Sequence, residues 1–145
     1  MVDFDGQIKD EWRNLGFYYD LKKDIDNNDW RFFGSKKGLF KFVKILDYYI
    51  SEARNNFISE HAHYGPYNYL KIMTWNSPVI TENYIAGTIY NLKDLTTIVT
   101  NALHKTKIGQ TFKIDSEYGT NNTAILNFFV MADDFDPVSM DGNYN

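Results

Sequence analysis

Apolar residues recur at spacings of three and four between Ser35 and Arg54. Leu39, Phe42, Val43, Leu46, Tyr49 and Ile50 make one stripe, and Lys36, Lys37, Lys41 and Lys44 mostly fall off it. This predicts a helix over 35–54, capped by Ser35, whose hydroxyl can accept an orphan backbone N–H, and ended by Asn55-Asn56. A second stripe of Leu92, Leu95, Ile98, Val99 and Leu103 predicts a helix from a cap at Asn91 to about Thr106, with Gly109 as its stop. Thr96, Thr97 and Thr100 lower its intrinsic propensity, so packing has to hold it.

Strand patterns fill the spaces between. Leu15–Leu21 is short and aromatic, and the turn cluster Asp26–Asp29 joins it to Trp30–Phe33 as a hairpin. Tyr67–Trp75 and Tyr84–Tyr90 read as a second pair, with Gly87 suggesting a bulge or a close backbone approach. Thr111–Ser116 and Thr123–Met131 make the last two strands. Residues 1–14 are polar and read as a loose arm or a frayed first turn, and 57–66 as irregular. The order ββα-ββα-ββ predicts an α+β fold: a mainly antiparallel or mixed sheet with two helices packed on one face. A single domain is expected over 1–132. Residues 133–145 are acidic and poor in apolar groups, and are expected to form a loose tail.

Composition changes this picture in three places. Aromatics reach 17%, with 11 Phe, 11 Tyr and 3 Trp, which supplies a core without staples. Cysteine is absent, which excludes disulfides, thiolate catalysis and Cys-based metal centres. The net charge of −4 lies wholly in the tail acids Asp133, Asp134, Asp136 and Asp141, since the charges before them cancel. The sequence therefore lacks the basic stripe of a general nucleic-acid binder. Charges in the first ten residues stand where a signal peptide needs an apolar core, and no apolar run approaches the ~20 residues of a membrane span. The expectation is a cytoplasmic protein with no membrane partner.

Two of the three histidines lie in Ser59-Glu60-His61-Ala62-His63-Tyr64-Gly65-Pro66-Tyr67. In an extended chain His61 and His63 point to one side, a start for a zinc or nickel site to which Glu60 or His104 could add a ligand. A lone His-x-His lacks the second spaced pair of a strong metal motif, so no tightly bound metal and no cofactor are expected. No Gly-x-Ser-x-Gly elbow and no Gly-x-x-x-x-Gly-Lys phosphate loop occur. Gly34-Ser35-Lys36-Lys37-Gly38 reads as a capped, solvated helix start. Asp133-Asp134-x-Asp136 lacks the spacing of a calcium ladder but suits a basic partner through complementary charge. Tyr64, Tyr67 and Tyr69 beside the histidines are of the residue type enriched at protein-binding hot spots.

The strings WRFFGSKKGLFKF, SEHAHYGPYNYLKI, IGQTFKIDSEYG and FFVMADDFDPVS resemble a group of small bacterial proteins over roughly residues 12–140. These are the immunity proteins of polymorphic or contact-dependent toxin systems. The resemblance implies a non-enzymatic role, binding a cognate toxin domain and blocking it, and no catalytic residue carries over. The expected contacts are Glu60, His61, His63, Tyr64, Tyr67, Asp133, Asp134 and Asp136, and a homodimer stays open. Two rivals come from other classes: a metal-dependent enzyme built on Glu60, His61 and His63, and a small-ligand domain with an aromatic pocket.

Overall fold

The computed structural model describes residues 3–25 and 28–144. Asp26 and Asn27, part of the turn cluster read from the sequence, lie outside the described residues.

The described residues form three α-helices and two four-stranded sheets, an α+β fold. The chain opens with α1 (Phe4–Leu15), followed by β1 (Tyr18–Lys23), β2 (Asn28–Gly34) and α2 (Lys36–Ser51). Then come β3 (His61–Tyr64), β4 (Leu70–Thr74), β5 (Val79–Ile80), β6 (Ile85–Gly87) and α3 (Ile89–Lys105), and finally β7 (Thr111–Ile114) and β8 (Ile125–Val130). The first sheet has the order β1-β2-β8-β7 and the second β3-β4-β6-β5. Both follow one plan, two antiparallel outer pairs around a parallel central pair, β2 with β8 and β4 with β6. The whole second sheet is nested in the chain between β2 and β7.

Aromatic rows hold the first sheet. Registers place Tyr19, Phe32, Phe128 and Phe112 side by side across its four strands. Phe128 stacks between Phe32 and Phe112, with ring centroids 4.7 Å from each. Phe42 of α2 meets Phe32 and Phe128 from above, at 5.1 and 5.4 Å. Farther along α2, the Tyr49 hydroxyl donates to the Glu60 carbonyl and bonds the Thr74 hydroxyl of the second sheet. One helix thus spans both sheets, and α3 packs against it.

The sequence reading needs four corrections. Residues 4–15 form a helix rather than a loose arm. Asp3 caps it through the Gly6 N–H at 2.9 Å, and Gly16 ends it in the left-handed conformation at φ 91°. Residues within 57–66 contribute β3. The expected single sheet is two, because β4 and β6 pair with each other and not with β2 or β8. The cap of α3 is Thr88, three residues before Asn91. Thr88 and Asn91 form a reciprocal capping box, at 3.0 and 2.9 Å.

The expected loose tail is also ordered. Pro137 and Val138 are buried, and Pro137–Met140 forms a short 3-10 turn against α1. Asp136 caps that turn through the Val138 N–H and pairs with Arg13 at 3.0 Å. Among the described residues, no helix is long and apolar enough to cross a membrane.

Candidate functional site

A cleft of about 580 Å³ runs beside β1. Tyr18 and Asp20 line it from one face of the strand and Tyr19, Leu21 and Lys23 from the other, so it follows the strand's free edge. Among the described residues β1 pairs only with β2. Among the described residues no other backbone hydrogen bond reaches Tyr18–Lys23. The rest of the lining comes from four places: Trp12 of α1, Tyr67 and Tyr69 of the β3–β4 loop, Glu82 and Asn83 of the β5–β6 turn, and Asp141–Asn143 of the tail.

Three buried aromatics form the floor. Trp12 lies 4.8 Å from the Tyr18 ring and 5.4 Å from the Tyr19 ring. Trp30 donates its Nε1–H to the Thr81 carbonyl at 2.8 Å. Tyr19 donates to the Tyr64 carbonyl and accepts the N–H groups of Tyr69 and Leu70. Gly65, at φ 92°, is the only residue type that fits there, because a Cβ would run into the Tyr19 ring.

Asp141 fixes the tail side. It is 3% exposed, and its Oδ2 accepts from Trp12 Nε1 at 2.9 Å and from the Tyr67 hydroxyl at 2.6 Å. Its Oδ1 accepts the Asn143 N–H at 2.9 Å. Burial alone would push this carboxyl up, but the bonds from Tyr67, Asn143 and Trp12 outweigh it and hold the group below the ordinary carboxylate range. Burial and the bond to Asp141 push the Tyr67 hydroxyl up to about 12, so it stays a donor. At the rim Asp20 is paired with Arg31 at 2.5 Å, and Glu82 accepts from Asn28 at 2.7 Å.

The residues expected from sequence fall into three groups. Tyr67 lines the cleft, whereas Tyr64 lies outside its lining and reaches it only through the carbonyl that accepts from Tyr19. His61 and His63 lie exposed on β3, their ring centroids 5.3 Å apart, while exposed Glu60 precedes them and alternates to the other face. Asp133 and Asp134 are exposed on the tail and outside the cleft lining, and Asp136 is engaged by Arg13. His104 sits on α3 beside Phe40, 5.6 Å away. Among the described residues no three His, Asp or Glu side chains gather around a point where a metal ion could sit. Sequence reasoning missed Trp12, Tyr19, Trp30 and Asp141. The Asp3 cap and the Gly16 stop around Trp12 were the one available signal for a structured N-terminal wall.

No family model matches the chain, and no curated protein and no solved structure matches it either.

Proposed function

We propose that the chain is a non-enzymatic protein-binding domain, and that its partner is a bacterial toxin domain which it blocks by occlusion. The single observation that carries the reading is the aromatic cleft along the free edge of β1. An edge strand offers unpaired N–H and C=O groups to an incoming extended segment, and side-chain pockets beside it add selectivity. Tyr and Trp are the side chains that most often dominate binding energy. Glu82 at the rim, which among the described residues has no cationic partner, favours a segment carrying a basic residue. Asp133 and Asp134, both exposed, would act on encounter rather than on lifetime. The reading goes with a cytoplasmic bacterial protein, as the resemblance to immunity proteins implies.

A small-ligand reading has one observation in its favour: about 580 Å³ lies within the usual range of ligand sites. The test is a pull-down from the native cell with identification of the partner, followed by calorimetry with that partner and by an assay of its toxicity. A one-to-one complex that abolishes toxicity is expected. Tyr69 is 70% exposed, so Tyr69→Ala spares the fold, and it should weaken the complex at least tenfold. No complex at micromolar concentrations overturns the reading.

A further inference from the structure

From the arrangement on β3 we infer that His61 and His63 form a two-imidazole chelate for a zinc-class divalent cation. This site is separate from the cleft and independent of the function proposed for it.

The backbone around the pair supports it. His61 Nδ1 lies 3.0 Å from the Ser59 carbonyl, and His63 Nδ1 lies 3.0 Å from the Asn68 carbonyl. A carbonyl can only accept, so each Nδ1 carries the hydrogen and each Nε2 keeps its lone pair. A hydrogen bond from the far ring nitrogen to a carbonyl is the arrangement that orients metal-binding histidines. Ser59 and Asn68 are also the two non-glycine residues with positive φ among the described residues, at 74° and 57°. Left-handed backbone is disfavoured for any side chain, most of all outside Asn, Asp and Gly, and it clusters where function holds it in place. Both such positions in this chain present their carbonyls to an imidazole of the same pair.

The ring separation is short enough for the two imidazoles to share one ion. A Zn–N bond of about 2.0–2.1 Å, continued to the ring centre, puts two rings on one tetrahedral metal about 5 Å apart. The observed separation is 5.3 Å, with the ring planes at 87°. Both side chains are exposed, and β3 is an edge strand, so the remaining positions of the shell are open to water or to a donor from another molecule. Lys71 stands opposite His63 in register, its ammonium 5.9 Å from the Tyr84 ring centre.

The test is titration of the full chain with zinc chloride alone. Calorimetry gives the stoichiometry, and imidazole nitrogen NMR identifies the ligating atoms. The expected result is one zinc per chain, with both Nε2 signals shifted and both Nδ1 still protonated. His61→Ala and His63→Ala should each weaken binding at least tenfold, and the double variant should show no binding at this site. Because the rings are exposed, circular dichroism should be unchanged in all three. Two results would overturn the inference: zinc binding unchanged in the double variant, or no imidazole shift at millimolar zinc.

Discussion

The Tyr19 hydroxyl donates to the Tyr64 carbonyl at 2.5 Å, joining β1 of the first sheet to the β3–β4 hairpin of the second. The same oxygen accepts the N–H groups of Tyr69 and Leu70, each at 3.2 Å. One phenol therefore bonds three backbone groups of the hairpin, at the end of the ladder where Tyr64 and Leu70 pair, and burial pushes its own ionisation up. Tyr19→Phe keeps the ring against Trp12 and Phe17 but removes all three bonds. The expected cost is about 1–3 kcal/mol in urea denaturation, the penalty for leaving buried polar groups unpaired. Amide exchange should quicken first at Tyr69 and Leu70. An unchanged midpoint would mean that water takes over the phenol's role.

Phe128 tests the aromatic rows. It is fully buried between Phe32 and Phe112 and is met edge-on by Phe42. Phe128→Ala should cost about 3–5 kcal/mol through lost transfer energy and the cavity left behind. Leu46→Ala on α2, also fully buried, should cost about 2–5 kcal/mol. Thermal or urea midpoints measure both.

These core positions are legible in the sequence because helix periodicity is local. Leu39, Phe42, Val43, Leu46 and Tyr49 repeat on one face of α2 and are all buried, as are Leu92, Leu95, Val99 and Leu103 on α3. α1 is hard to read because Trp12 is its only buried residue, so it has almost no stripe. The split into two sheets rests on the parallel pairs Phe32–Phe128 and Ile72–Ile85. Parallel pairing joins strands far apart in sequence and leaves no short-range signature. The cleft is less legible still. Trp12, Tyr19, Tyr67 and Asp141 come from four separate stretches and meet only through the fold. Asp141 shares a sequence segment with the exposed acids Asp133 and Asp134, and only its burial beside Trp12 distinguishes it.

Asp141 gives the chain a predicted acid limb. Its folded ionisation lies below the ordinary carboxylate value of about 3.9, so it contributes stability that is fully present above that value. That contribution is lost as pH falls through the folded value. Asp136, held low by its bond to Arg13, acts in the same direction. Urea midpoints measured from about pH 6 down to about pH 2.5 should fall most steeply below about pH 4. Asp141→Asn should lower stability at neutral pH by about 1–3 kcal/mol, since the donors of Trp12 and Tyr67 lose their shared acceptor charge. It should also flatten the acid limb. A variant that keeps the wild-type slope would assign that limb to other carboxylates. Asp136→Ala should cost about 1 kcal/mol through its lost cap, while Asp133→Asn and Asp134→Asn should leave folding unchanged.

Asn127 should behave in the opposite way. It lies on β8, a central strand, and is 8% exposed, with its Oδ1 buried and without a hydrogen-bond partner among the described residues. Its register neighbours are Arg31 on β2 and Lys113 on β7. Arg31 is committed to Asp20 through two bonds, at 2.7 and 2.5 Å, so its guanidinium is drawn to the other side of β2. An unpaired buried acceptor is a standing penalty, and a β-branched apolar side chain removes it while suiting the strand. Asn127→Val should therefore raise the thermal midpoint, where most core substitutions lower it. The gain should persist in high salt, because it comes from removing an unsatisfied group and not from charge. A lower midpoint would show that the amide holds a water between the strands, and that its oxygen is satisfied in solution.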